Sequence, residues 1–133
     1  MKNKLKSIFP LSHPQHIILG LALVGIGLIL ICNDYYFFWP PQVAWVLNDD
    51  LCGGLGVIFG IMTIRWALKD SNSIRVNRNL LFFSAFFWCF EATAEFTHAL
   101  IRPNAYMLTA GVAELGLFLF TLSIIDKSKK HNY

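Results

Sequence analysis

Charge is what this chain has least of. Only 14% of its 133 residues are Asp, Glu, Lys or Arg, and 56% are hydrophobic. A soluble domain carries about 25% charged residues, so a mean hydropathy of +0.53 points to lipid as the solvent. Cysteine is also scarce. Cys32, Cys52 and Cys89 form no CxxC pair and no even framework, which excludes a disulfide scaffold and the usual zinc spacings. Each lies in or beside an apolar run and is expected to be a buried thiol. No Ser-His-acid arrangement is present, and Cys89 is two residues from Glu91, on another side of a helix. Gly53-Gly54-Leu55-Gly56 has no Lys after it, so it is not a phosphate-binding loop. The reading is therefore non-enzymatic. No internal repeat or low-complexity tract appears. The basic start lacks an A-x-A-like cleavage exit, so the first apolar run is expected to stay as a helix.

Long apolar runs are plentiful. Four are expected to be helices, at roughly 16–32, 43–68, 80–101 and 105–125, with a frayed basic tail at 126–133. About 20 residues span a bilayer, and each run reaches that length or approaches it with its flanks. Pro10 and Pro14 suit the start of the first helix. Tyr35 to Trp39, closed by Pro40-Pro41, is an aromatic belt expected at headgroup level. Asn48-Asp49-Asp50 interrupts the second run, Lys69 to Asn79 is a polar loop, and Arg102-Pro103-Asn104 is a tight turn.

The cations mark the orientation. Ten of the eleven Lys and Arg residues lie in the N-terminus, the end of the second run with its following loop, and the C-terminus, leaving only Arg102 elsewhere. By the positive-inside rule both termini face the cytoplasm, which needs an even number of crossings. The expected fold is thus all-α, a single domain: an antiparallel four-helix transmembrane bundle in the cell membrane. The basic residues punctuate apolar runs and form no folded basic face, so the partner is the bilayer and not nucleic acid. Gly56 and Gly60 form a small-xxx-small pair that could seat a second copy as a homo-oligomer. Gly20, Gly25, Gly27, Gly111 and Gly116 thin the first and fourth helices.

Five of the eight acids, Asp49, Asp50, Glu91, Glu95 and Glu114, lie inside these runs, where a charge costs about 2.5 to 3.5 kcal/mol on insertion scales. Glu91, Glu95 and His98 are spaced i, i+4, i+7 and share one helix face. Glu114 falls at a similar depth on the fourth helix, and Asp49 and Asp50 enter from outside, so all six can meet in one outward-facing cavity. Four readings follow. Glu91 and Glu95 can be neutral carboxyls bonded to Thr93, Thr97 or Thr109, with Asp49 and Asp50 as interfacial helix-start residues. The group can hold a proton, a cation or a small polar ligand: Glu91 and Glu95 share the proton, His98 is the outer shuttle and Glu114 the midplane partner. Glu95-Phe96-Thr97-His98 is a Glu-x-x-His unit, so Glu91, Glu95, His98 and Asp50, with Asp49, can be ligands for Mn, Fe or Zn in a metal-dependent membrane enzyme. No cofactor is required by the sequence. His13 and His16, flanking Pro14, are expected to touch headgroups.

Phe9-Pro10-Leu11-Ser12-His13-Pro14-Gln15-His16, the Trp39-Pro40-Pro41 turn and Asn48-Asp49-Asp50 resemble uncharacterised four-helix membrane proteins of phages and prophages of lactic-acid bacteria. The resemblance implies a phage-related context and a host-envelope role, with no chemistry and no site residue. It opens a fourth reading, a holin-like oligomer that permeabilises the membrane, which the basic Lys127 to Lys130 tail suits.

Overall fold

The computed structural model describes residues 13–48, 50–69 and 73–130, the last two by backbone alone. Asp49, the start of the chain through Ser12, and His131 lie outside the described residues. Among the described residues there are five helices and no strand: α1 (Pro14–Ile31), α2 (Pro41–Leu47), α3 (Leu51–Ala67), α4 (Ile74–Ile101) and α5 (Ala105–Lys130). Three, namely α1, α4 and α5, are long and apolar enough to cross a membrane, or four if α2 and α3 form one span bent by 45°.

Helix starts follow local chemistry. Pro14 and Pro41 open α1 and α2, where the missing proline N–H costs nothing. Ser73 caps α4 by accepting from the Val76 N–H, so this helix begins six residues before the expected 80. Arg75, Asn77 and Arg78 are polar, yet they propagate a helix once it is capped. At the other end of the chain α5 continues to Lys130 and is not frayed from 126. No Gly or Pro stops it, and Lys127 suits the negative end of the helix dipole. The second expected run is two helices, because the chain breaks at Asn48 to Asp50.

α1 packs along α3, and α4 along α5. Glycine sets the first contact. A Cβ on Gly20 would meet the Gly60 carbonyl at 2.8 Å, and one on Gly27 would meet the Gly53 carbonyl at 2.6 Å. The paired positions rise along α1 and fall along α3, so these two helices run antiparallel. Gly56 and Gly60 are buried against α1. The close approach they permit is to α1 of the same chain. The two helix pairs meet over an apolar core of Leu19, Leu23, Leu30, Phe37, Leu81, Phe87, Trp88 and Ile124. Phe59 of α3 stacks on Phe83 of α4 with centroids 3.6 Å apart.

The apolar side chains left outside are many: Leu21, Leu28, Ile58, Phe86, Val112 and Leu119 are each at least half exposed. Cys32 and Cys89 join them on the outside and Cys52 is half-buried, which corrects the expectation of buried thiols. In lipid an apolar thiol gains as much on the outer face as within the core, so its hydrophobicity does not select the inside.

Candidate functional site

α4 carries a buried stripe at 77, 81, 84, 88, 91, 95 and 98. The spacing alternates four and three, the pattern of a helix seam facing a partner. Its content is unusual: Asn77, Ser84, Glu91, Glu95 and His98 are polar. Glu91 is 0% exposed, Glu95 4%, His98 1% and, on α5, Glu114 3%. Gly111 lets α5 close on α4 at this level, since a Cβ there would sit 3.3 Å from the Glu95 Cβ. Glu114 follows one turn later. The charges that reach Glu91 are those of Glu114 and Glu95, and Glu114 in turn feels Glu95. Three carboxyls from two helices therefore converge, as the heptad-like spacing and the Gly111 contact require.

Their oxygens are poorly matched. Both Glu91 oxygens, Glu95 Oε2 and Glu114 Oε2 are buried without a hydrogen-bond partner, and so is the indole N–H of Trp88 on the same stripe. The threonines expected to serve them do not. Thr93 donates to the Cys89 carbonyl, Thr97 to the Thr93 carbonyl and Thr109 to the Ala105 carbonyl, each at 2.7 to 2.9 Å. The buried hydroxyls Ser84, Thr63 and Thr121 also turn back to the carbonyl four residues earlier. A helix offers its own hydroxyls a local acceptor, and in lipid that acceptor wins.

Among the described residues, the one donor that reaches the cluster comes from an unexpected place. Tyr36, in the connection between α1 and α2, donates its hydroxyl to Glu95 Oε1. Burial, and then the Glu95 carboxyl that accepts its proton, pushes the Tyr36 phenol well above its ordinary range, so it serves as a donor. Tyr36 and Phe37 thus turn inward from the expected headgroup belt, while Tyr35 and Trp39 stay outside. Sequence reasoning grouped all five aromatics by composition. The available signal was a phenol beside apolar rings, which needs a partner once buried.

Around Tyr36 the connection is tied down along its length. Asn48 accepts from the Phe37 N–H at 2.8 Å and donates to the Phe37 carbonyl at 2.7 Å. His98 Nε2 lies 3.3 Å from the Trp39 carbonyl, and its ring stacks on Phe38 at 4.2 Å. The Arg102 guanidinium covers the other part of this cap, 4.9 Å from the Phe38 ring centre. His98 is therefore a buried member of the site, fixed beneath the aromatic segment.

Of the two remaining expected site residues, one stays apart from this group. Asp50 is exposed at the start of α3, and Asp49 lies outside the described residues. Among the described residues no group of three or more His, Cys, Asp and Glu is arranged to hold a metal ion. The set Glu91, Glu95, His98 and Asp50 is thus not assembled: His98 faces Trp39 and Phe38, and Asp50 is at the surface. Of the two histidines expected to touch headgroups, His16 turns inward and His13 is half-buried. His16 is buried, with Nε2 2.8 Å from the Asn77 oxygen, and both rings pack near Trp66. This polar pair joins the start of α1 to the start of α4, at the end of the molecule opposite Tyr36. Comparison with family models, with curated proteins and with solved structures finds no match for this chain.

Proposed function

We propose that this chain is a multi-pass membrane protein, an antiparallel bundle of four crossings with both termini cytoplasmic, that binds a proton or small cation at Glu91, Glu95 and Glu114. The observation that carries this is Glu91: fully buried, with both oxygens unpartnered, and facing two more carboxyls. One ionised carboxylate in hydrocarbon costs about 2.5 to 3.5 kcal/mol even on the mildest scale. Three ionised together without a counter-charge cost far more, because like charges repel strongly in low dielectric. The cluster therefore holds protons, or it takes a positively charged guest with hydrogens to donate. The groups facing it are Glu91 and Glu95 of α4, Glu114 of α5, Tyr36 of the α1–α2 connection and Cys52 of α3. None of these brings a positive charge, and His98, on the same buried face of α4, is turned to the Trp39 carbonyl and the Phe38 ring.

Infrared difference spectroscopy on protein reconstituted in lipid tests the reading. A carboxyl band that titrates or shifts with added monovalent or divalent cation is expected in the wild type, and its loss is expected in Glu91→Gln. A spectrum insensitive to pH and to every cation tried, in protein that remains folded, rejects the proposal.

A further inference from the structure

The segment 33–40 lies over the carboxyl cluster as a strap, held both by hydrogen bonds and by ring contacts. At its middle, Tyr36 donates to Glu95. Asn48 clasps both backbone groups of Phe37. His98 holds the Trp39 carbonyl. Phe37 is also buried in the core, 5.9 Å from Phe90, and Phe38 stacks on His98. On the other side of the cluster an aromatic layer blocks the way: Phe59 stacks on Phe83, Phe83 lies 6.1 Å from Phe87, and Phe87 meets Trp88 edge-on at 5.4 Å. The cluster is thus closed by rings borne on packed helices toward one face of the membrane and, toward the other, by a non-helical segment held by hydrogen bonds and its own rings. That segment can lift by exchanging its hydrogen bonds with water or with ligand donors, whereas the helix-borne rings part only if the helices separate.

We propose that the 33–40 strap is a lid over the carboxyl site, latched by the Tyr36 hydroxyl on Glu95, and that it opens the site to one side of the membrane only. This rests on the cation-binding reading above. The Tyr36 hydroxyl fills one Glu95 oxygen with a donor, the place that a bound ammonium-like hydrogen or a hydrated cation takes when the lid lifts. Binding and latching then compete for the same oxygen, and the guest is drawn from the side that the α1–α2 connection faces.

Cys52 supplies the reporter. It is the second residue of α3, half-buried, packed against the core and close enough to feel Glu91. In a Cys32→Ser, Cys89→Ser background it is the one remaining thiol. The chain is reconstituted in lipid vesicles and treated with a small, membrane-impermeant, positively charged thiosulfonate. Tyr36→Phe removes the latch and keeps the ring, and it is expected to speed Cys52 modification about tenfold or more, the shift in a two-state equilibrium that follows loss of a hydrogen bond to a charged group. Asn48→Ala, which releases the clasp, is expected to act in the same direction. Both effects are expected only with reagent on the side of the α1–α2 connection. Unchanged rates in both variants, or equal rates from the two sides, overturn the lid. The infrared titration separates the two ideas. A responsive Cys52 with a silent carboxyl spectrum keeps the lid and removes the cation site, and the converse result keeps the site and removes the lid.

Discussion

A buried polar pair is most informative when one member is taken away. His16 and Asn77 are both buried and bond each other across 61 positions of sequence. Asn77→Leu leaves the His16 ring nitrogen without its partner, and an orphaned buried group costs about 1 to 3 kcal/mol. His16→Leu together with Asn77→Leu replaces both by apolar side chains, and most of that loss is expected to return. Unfolding in detergent at increasing denaturant measures both. Equal destabilisation in the single and double variants would mean that the contact is incidental. The same reasoning separates this pair from the carboxyl cluster. His16 and Asn77 satisfy each other, whereas the Glu91 oxygens find no partner among the described residues. The first is a structural joint and the second is the proposed site. Sequence spacing placed Glu91, Glu95 and His98 on one face, because a helix fixes the angle between residues four and seven apart. It could not select Tyr36 over Tyr35 or Phe38, since a connection of this kind has no period from which to read a side chain's direction.

Helix packing in lipid depends on how closely backbones approach, because lipid supplies no hydrophobic drive between helices. α1 and α3 meet through Gly20, Gly27, Gly53 and Gly60, and the carbonyl of one helix sits where the other would carry a Cβ. Gly27→Val places a branched side chain against the Gly53 carbonyl and the Val57 backbone, neither of which can retreat without separating the helices. A loss of about 1 to 3 kcal/mol or more is expected, as for overpacked cores. Gly25→Val on the same helix has nothing within 4 Å of its Cβ and is expected to leave stability near wild type. Thermal scans of the two variants in the same detergent check the contrast, and equal melting would discount the glycine seam. Element boundaries divide along similar lines. The start of α1 at Pro14 and the turn at Arg102 to Asn104 were legible, because proline and the loss of apolar pattern mark them. The early start of α4 was not: Arg75, Asn77, Arg78 and Asn79 read as a loop by polarity, yet the Ser73 cap and the bond from Asn77 to His16 make them the first turns of a helix.

For the whole molecule the distribution of cations makes the sharpest statement. Reporter fusions at the N-terminus and at the C-terminus are both expected to be active on the cytoplasmic side, and a fusion within the Arg102 to Asn104 turn on the opposite side. Either terminus found outside would remove the four-crossing arrangement and, with it, the proposed sidedness of the site. By itself the amino-acid sequence determined that this chain is helical, that its runs are apolar enough to cross a membrane, and that acids at 91, 95 and 114 lie within those runs. Those properties are local, since hydropathy, helical period and proline breaks act within a few turns. Only tertiary structure decided that Glu114 joins Glu91 and Glu95 while Asp50 stays at the surface, that Tyr36 turns inward to cover them, and that His16 finds Asn77. Contacts of that kind depend on how two helix pairs meet, and in this protein that meeting is set by the depth of a few glycines and by where buried polar groups find partners.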